Sequence, residues 1–239
     1  MFLGREKIEL TERDMELFRF LNEQKFMVAS QIYSIFWPSS KLDAGTGRQR
    51  LNKLVDAGYI KIFAVQKDAK TTLKLFMLTE KGIDELRKLK LDHRFSELSS
   101  VNQVTVEHTL KLVNVRAIFR ELGQKEWISE RLIRKQSPNR KWYPDGALVF
   151  GKSKIAIELE NSIREKTRYE NRFKHYEEDQ EYRFVFFILS WPVVKSWIFD
   201  LTAPGVKILF GMYVDLLQDK GQAKIENKIS SVELKNFFQ

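Results

Sequence analysis

A run of alternating polar and apolar residues from Asp145 to Glu160 constrains the fold more than any other feature of the sequence. Successive side chains of a β-strand point to opposite faces, so the segment KIAIELE places its isoleucines and leucine on one face and Ala156, Glu158 and Glu160 on the other. The preceding segment, DGALVF, alternates in the same way and puts Asp145 on the face that carries Ala147. The run therefore predicts two paired strands that share one acidic face.

The length of the turn between these strands decides which carboxylates face each other. A two-residue loop of Gly151 and Lys152 puts Asp145 opposite Glu158, whereas a four-residue loop puts it opposite Glu160. Like charges opposed across two strands are destabilising unless a cation or a raised pKa compensates. One interpretation is a site for Mg²⁺ or Mn²⁺, which prefer oxygen ligands. The alternative is an edge hairpin whose acidic face is solvated.

The first 90 residues show mainly helical periodicity, interrupted by one hairpin pattern. The predicted elements are a helix from Thr11 to Asn22, a short helix capped by Ser30, a helix over Gly47–Asp56, strands over Tyr59–Val65 and Thr71–Leu78, and a helix from Thr79. This order is typical of a winged helix-turn-helix, a fold that binds DNA through its third helix.

The third predicted helix carries polar side chains on the face opposite its leucines. The outward positions hold residue types that reach phosphates and base edges in a major groove, namely Arg48, Gln49, Asn52 and Lys53. In the turn of the hairpin, Lys67 and Lys70 are placed to contact the DNA backbone. The alternative is a trihelical unit that binds proteins and has a merely solvated basic face.

The charge balance favours a polyanionic partner. The chain has 41 Lys and Arg against 32 Asp and Glu, a net charge of +9, and this excess suits nucleic acid. It has no cysteine, which excludes disulfides and thiolate sites. It lacks a signal peptide pattern and an apolar run of the roughly 20 residues that a membrane helix needs, so we expect a cytoplasmic protein without a membrane partner.

The residue pattern of the sequence changes after a polar, serine-rich segment, LKLDHRFSELSS. We expect a first domain over residues 1–95 and a second over residues 104–239. The second begins with a helix over Val106–Leu122, and a further helix is predicted from Ile163 to Glu177. A C-terminal helix is predicted around Val232–Phe238. The segments that read as strands are ISERLIRK, GALVF, KIAIEL, RFVFFIL and KILFGMYV.

Basic residues border the acidic strands on both sides. The candidates for DNA phosphate contacts are Arg134, Lys135, Arg140, Lys141, Arg168 and Arg172. Cations would draw in a phosphodiester, which a metal ion held by the carboxylates could polarise. A solvated basic face is the alternative for the helical stripe that holds Arg168 and Arg172.

The pattern Pro144-Asp145, then 13 residues to Glu158 and a Glu-x-Glu strand end, resembles the PD-(D/E)xK nuclease superfamily. The resemblance implies a restriction-endonuclease-like mixed-sheet domain in which Asp145 and Glu158 bind metal. A lysine is usual where this chain has Glu160, and Lys166 on the next helix is the candidate replacement for that lysine. Glu107 matches the first-helix acid of many such nucleases and is a further candidate ligand.

Taken together, the predicted winged helix and the segments VEHTLKLVNVRAIFREL, WISER, PDGALVF and IAIELENS resemble the replication-relaxation family of plasmids and integrative elements. The resemblance implies an α/β (α+β) chain that binds double-stranded DNA and assists replication, mobilisation or transfer of such an element, with a homodimer or a replication or mobilisation protein as a further partner. One alternative is an active Mg- or Mn-dependent endonuclease or nickase; without that activity no cofactor is expected. Another alternative is a winged-helix transcriptional regulator.

Overall fold

A computed structural model describes residues 8–38, 41–68, 70–89, 95–202, 205 and 207–238. The described chain is mixed α/β and divides into two compact units, Met1–Val113 and Asn114–Gln239. The division falls inside one helix, α5 (Val106–Glu121). Part of the predicted junction, residues 90–94, lies outside the described residues. No helix of the described part is both long enough and apolar enough to cross a membrane.

The first unit combines helices with a small antiparallel sheet. Its elements are α1 (Glu12–Gln24), β1 (Met27–Val28), α2 (Ala29–Phe36), α3 (Lys41–Asp56), β2 (Ile60–Gln66), β3 (Thr72–Leu78), α4 (Glu80–Lys88) and the first half of α5 (Val106–Glu121). The three described strands are ordered β1-β3-β2. The hairpin β2–β3 follows α3 directly, so the helix and the hairpin of the predicted motif are adjacent in the chain.

Local signals explain where these helices begin. Thr11 and Asp14 form a reciprocal capping box at α1, and the Thr79 hydroxyl accepts the N–H of Gly82 at α4. The second helix begins at Ala29, so the predicted cap at Ser30 is wrong; Val28 is the N-cap, and the Gln31 side chain accepts its N–H. Because no Ser, Thr, Asp or Asn stands at that cap, its position carried no sequence signal.

The third helix is longer than predicted, because it starts at Lys41 and runs through two glycines. Glycine weakens a helix interior, which is why the sequence favoured a start at Gly47. A Cβ atom at position 47 would lie 3.0 Å from Cγ of Trp37, so this glycine lets the helix approach the tryptophan closely. On the inner face, Leu51 and Leu54 are completely buried.

The second unit is built on a mixed sheet of seven described strands in the order β10-β9-β8-β7-β6-β5-β4. Strands β6, β7 and β8 are parallel to each other, and the other pairs are antiparallel. The elements are β4 (Trp127–Ser129), α6 (Glu130–Gln136), β5 (Gly146–Phe150), β6 (Ser153–Glu160), α7 (Lys166–Glu178), β7 (Tyr182–Leu189), α8 (Pro192–Phe199), β8 (Ile208–Met212), α9 (Tyr213–Asp219), β9 (Lys224–Glu226), β10 (Ser231–Glu233) and α10 (Leu234–Phe237).

Helices cover both faces of this sheet around β6. On one face, Phe173 of α7 packs against Phe187 with ring centroids 5.0 Å apart. On the other, Phe186 packs against Phe119 of α5 and Phe237 of α10, at 6.3 and 5.0 Å. The hairpin β5–β6 is therefore not a solvated edge, because β6 lies between β5 and β7 and is covered on both faces.

Three predicted elements of this unit have different bounds. The segment ISERLIRK is a strand only over Trp127–Ser129 and then becomes α6, whose start is capped by the Ser129 hydroxyl. The prediction of a strand there was wrong, since the Ser-Glu capping signal was overlooked. Helix α7 begins at Lys166 instead of Ile163, and Ser231–Glu233 is a strand before α10.

Candidate functional site

The acidic side chains of the alternating run come together at the end of β6. Phe150 pairs with Ser153 across a turn in which Gly151 has φ 58°, so the two-residue loop is confirmed. In that register Gly146 pairs with Ile157, so the next residues along the two strands, Asp145 and Glu158, lie beside each other. The Asp145 carboxylate accepts the N–H of Leu159 at 2.7 Å.

Both glutamates are buried beneath α7. Glu158 is 2% exposed and Glu160 is 7% exposed. Carboxylates are rarely buried to this extent unless they are paired. The alternative of a solvated acidic face is therefore wrong, and the charge of this face is compensated inside the protein.

Arg172 is the cation that meets the two glutamates. Its Nη1 atom lies 3.5 Å from Oε2 of Glu158 and 3.8 Å from Oε2 of Glu160. The residue sits on the side of α7 that faces the sheet, and its side chain is only 16% exposed. Its guanidinium carbon lies 5.6 Å from the ring centre of Trp142, a cation–π distance.

Two tyrosines of α7 complete the surroundings of the glutamates. The Tyr176 hydroxyl donates a hydrogen bond to Oε1 of Glu158. The Tyr169 hydroxyl donates to the carbonyl oxygen of Ser162, whose own N–H and hydroxyl point to Oε1 of Glu160 at 3.3 and 3.4 Å. Tyr169 and Tyr176 are both 1% exposed, so the hydrogen bonds lie in a largely dry environment.

Burial dominates the proton equilibrium of the site. It raises the pKa of Glu158 to about 8; Asp145 and Glu160 add to the rise, and Arg172 and Tyr176 oppose it. Burial and the neighbouring Glu158 raise the pKa of Tyr176 well above its usual range. Burial alone would lower the pKa of Arg172, but the surrounding anions raise it overall. A carboxyl group that titrates near neutral pH is chemically suited to donate or accept a proton.

The oxygen donors have the chemistry that Mg²⁺ or Mn²⁺ prefers, but their arrangement does not fit a bound ion. Asp145 accepts a main-chain N–H, and Glu158 accepts the Tyr176 hydroxyl while it pairs with Arg172. Glu160 shares the same guanidinium. A metal ion would have to compete with a resident cation for these oxygens. Within the described ranges, no three His, Cys, Asp or Glu side chains form a group that could hold a metal ion.

The other candidates for catalysis or metal binding lie elsewhere on their elements. Lys166 is in the first turn of α7, 65% exposed at its side chain, with Nζ 3.7 Å from Glu170. Glu107 is in the first turn of α5, 69% exposed, and pairs with Lys111 at 2.9 Å. The cation that contacts both glutamates is thus Arg172, which the sequence had suggested for phosphate contacts, and Arg164 lies 3.8 Å from Glu160 as well.

The basic residues of the second unit differ widely in their surroundings. Arg140 pairs with Asp179 and Glu181 and lies over the ring of Tyr182, and its side chain is 13% exposed. Arg134 pairs with Glu130 at 2.7 Å and stacks on Tyr143. Exposed side chains are found at Lys135, Lys141 and Arg168.

The polar face of α3 is exposed between Arg48 and Lys53. The exposed residues are Arg48, Gln49, Asn52 and Lys53. On the opposite side, Arg50 pairs with buried Asp14 of α1, so this arginine holds the helix in place. In the β2–β3 turn, Lys67 and Lys70 are exposed, and the Asp68 carboxylate accepts the N–H groups of Lys70 and Thr71, each at 2.9 Å.

Sequence reasoning missed the roles of Trp142 and Tyr176 beside the acidic cluster. Tyr176 stands 18 residues after Glu158, and only the packing of α7 on the sheet brings them together. A signal was present, because Arg172 and Tyr176 are four residues apart and therefore lie on one helix face.

Comparisons of the chain with models of protein families, with curated proteins and with solved structures found no match.

Proposed function

We propose that the protein binds double-stranded DNA through the first unit, which acts as a winged helix-turn-helix with α3 as its recognition helix. The observation that carries this proposal is the exposed face of α3, where Arg48, Gln49, Asn52 and Lys53 stand opposite the buried Leu51. The order of three helices, a hairpin and a fourth helix supports the same proposal.

The chemistry of this face suits a major groove. Arginine and lysine bind phosphates and guanine edges, while glutamine and asparagine pair with adenine edges. Lys67 and Lys70 extend the positive charge into the β2–β3 turn, the wing of the proposed motif. The net charge of +9 adds a general attraction to DNA.

The test is duplex binding by the full chain with Arg48→Ala and Lys53→Ala combined. We expect the loss of two cations at the interface to weaken binding at least about 10-fold, since a good bidentate base contact alone contributes about 1–3 kcal/mol. Fluorescence anisotropy with a labelled duplex measures the effect, and circular dichroism verifies that the variant is folded.

The matched control combines Arg87→Ala with Lys88→Ala on α4. It removes the same charge from the same unit, and both residues pair with acids of their own helix. We expect binding within about two-fold of wild type. An equal loss in both double variants would attribute binding to overall charge and remove α3 from the recognition role.

We further propose that the second unit is a nuclease-like domain, and that the protein serves as an accessory factor in replication, mobilisation or transfer of a plasmid or integrative element. Two observations support this proposal. The strands that carry the acidic face of Asp145 and Glu158 pair within a mixed sheet, and the helix that follows them, α7, packs over that sheet. Because Arg172 already pairs with both glutamates, we favour DNA binding or assembly over cleavage as the role of this domain.

Metal-dependent endonuclease activity is the second candidate, favoured by the convergence of Asp145, Glu158 and Glu160. The test incubates supercoiled plasmid with Mg²⁺ or Mn²⁺ and compares wild type with Asp145→Asn and Glu158→Gln. Nicking by wild type that both variants lose would establish the endonuclease. Intact plasmid in all three samples would leave the DNA-binding role alone.

A further inference from the structure

Trp191 is fixed at the edge of the sheet where the parallel strands β6 and β7 end together. Glu160 pairs with Leu189, so the segments after both strands leave the sheet side by side. The Trp191 indole N–H donates to the carbonyl oxygen of Asn161 at 3.1 Å. Ligands of open sheets bind outside the carboxyl ends of parallel strands, and Trp191 stands at such an end.

A second pair of hydrogen bonds ties these two segments together. The main-chain N–H of Ser190 donates to the carbonyl oxygen of Glu160 at 3.0 Å, and its hydroxyl donates to Oδ1 of Asn161, also at 3.0 Å. Trp191 is therefore held against the residue that directly follows the acidic cluster. The indole N–H of Trp191 and the main chain of the preceding residue, Ser190, are thus both bonded to the segment that follows β6.

The ring itself is open to solvent. Trp191 is 51% exposed, and two neighbours along these segments, Ile163 and Val193, are 58% and 60% exposed. Tryptophan is normally highly buried, because its ring carries a large apolar surface. With its one polar atom already bonded, the exposed ring offers an apolar face suited to stacking.

Basic residues follow Asn161, the residue that the Trp191 indole contacts, along the chain. Between positions 161 and 168 the chain has three basic residues, Arg164, Lys166 and Arg168, against one acid, Glu165. All four are exposed. Arg164 lies 3.8 Å from Glu160 and Lys166 lies 3.7 Å from Glu170, whereas Arg168 forms no ion pair with another residue whose side chain the structure describes. An aromatic platform beside arginines is the combination that binds single-stranded nucleic acid, with bases stacked on the ring and phosphates held by the cations.

We propose that the second unit binds single-stranded DNA at this edge, with an unpaired base stacked on Trp191 and an adjoining phosphate near Arg168. An unpaired base is required because the faces of duplex bases are already stacked on one another, whereas a single strand leaves them available. The proposal rests on the proposed DNA-binding function, and it adds a second substrate form bound by a different unit.

The experiment measures two affinities of the full chain by fluorescence anisotropy, one for a labelled oligothymidylate of about 12 nucleotides and one for a labelled duplex. We expect Trp191→Ala to weaken single-strand binding about 5- to 100-fold, the effect of losing one stacked base. Trp191→Phe retains a stacking ring and should stay within about five-fold of wild type. Val214→Ala, another exposed apolar site (45% exposed), is the control and should change neither affinity.

The α3 double variant separates this proposal from the proposed function. Arg48→Ala with Lys53→Ala should weaken duplex binding and spare single-strand binding, and Trp191→Ala should do the reverse. If only Trp191→Ala has its effect, the single-strand site stands and the recognition role of α3 fails. Single-strand affinity unchanged by Trp191→Ala overturns the proposal. The proposal is also overturned if light scattering shows a dimer that dissociates in Trp191→Ala while the single-strand affinity stays the same.

Discussion

Arg140 and Arg172 of the second unit and Arg48 and Lys53 of α3 are all basic residues, but they differ in what surrounds them. Arg48 and Lys53 are exposed, and neither forms an ion pair with another residue that the structure describes. Arg140 and Arg172 are mostly buried, and each contacts two carboxylates. A guanidinium that already neutralises buried acids is poorly placed to bind a phosphate as well. Basic residues therefore indicate a DNA-binding face only where they do not already pair with buried acids of the protein.

The largest effect that this comparison predicts is on stability, at Arg140. We expect Arg140→Ala to lower the free energy of unfolding by about 3–5 kcal/mol, because it leaves Asp179 without its guanidinium partner in a mostly buried place. Urea unfolding measures the loss. Lys152→Ala, in the exposed hairpin turn, is the control. Unchanged stability with reduced duplex affinity would place Arg140 among the DNA contacts and break the comparison.

The next effect concerns the pH dependence of stability at Glu158. The pKa of Glu158 is about 8 in the folded state, above the ordinary value of 4.5 for a glutamate, so between these values the folded state binds more protons than the unfolded state. The free energy of unfolding should therefore fall as pH rises, by at most about 1.4 kcal/mol per unit. Glu158→Gln should remove this fall.

Urea titrations of wild type and Glu158→Gln at several pH values measure the difference between the two proteins. Both proteins keep the other titratable groups, such as His175, whose pKa is lowered by burial. The difference therefore reports the contribution of Glu158 alone. Parallel curves for the two proteins would show that Arg172 fully compensates the buried carboxylate.

A smaller effect is expected on the binding of Mg²⁺ when Arg172 is removed. In Arg172→Gln the glutamates lose the guanidinium that they share, so Mg²⁺ no longer competes with it. We expect Mg²⁺ at about ten times its dissociation constant to stabilise the variant by about 1.4 kcal/mol, seen as a raised Tm, with no shift for wild type. A Tm shift of the same size in wild type would mean that the arginine does not block the oxygens.

The smallest effect is expected at Arg134, whose side chain is 55% exposed and whose ion pair lies within α6. Arg134→Ala should lower the free energy of unfolding by about 1 kcal/mol, because it removes this ion pair and the stacking on Tyr143. Duplex affinity should stay within about two-fold of wild type. A ten-fold loss of affinity would show that α6 contacts DNA despite its ion pair.

Much of the fold could be predicted because the signals are local. Alternation and a Gly-Lys turn set the register of Phe150 and Ser153, and the Thr79 cap fixed the start of α4. The early start of α3 could not be predicted, since it depends on Trp37 packing against a glycine. The candidate site shows the same difference between local and tertiary signals. The pairing of the two strands predicted the acidic face, but its burial beneath Arg172 could not be predicted.

The side chains around Glu158 were harder to predict because they come from different elements. Tyr176 and Arg172 reach it from α7, and Trp142 approaches the arginine from the segment before β5. The spacing in sequence places Arg172 and Tyr176 on one helix face, but it does not say which residues of other elements that face contacts. Trp191 is similar, since its exposure follows from how β6 and β7 end and not from its neighbours in the chain.

The salt dependence of duplex binding tests the role of α3 most directly. Each phosphate contact adds about 0.9 to the slope of log K against log salt concentration. If Arg48 and Lys53 both contact phosphates, we predict that replacing both with alanine lowers the slope by about 1.8, while the Arg87→Ala and Lys88→Ala control keeps the wild-type slope. A slope that is the same in the α3 variant and in wild type would contradict DNA recognition through this helix.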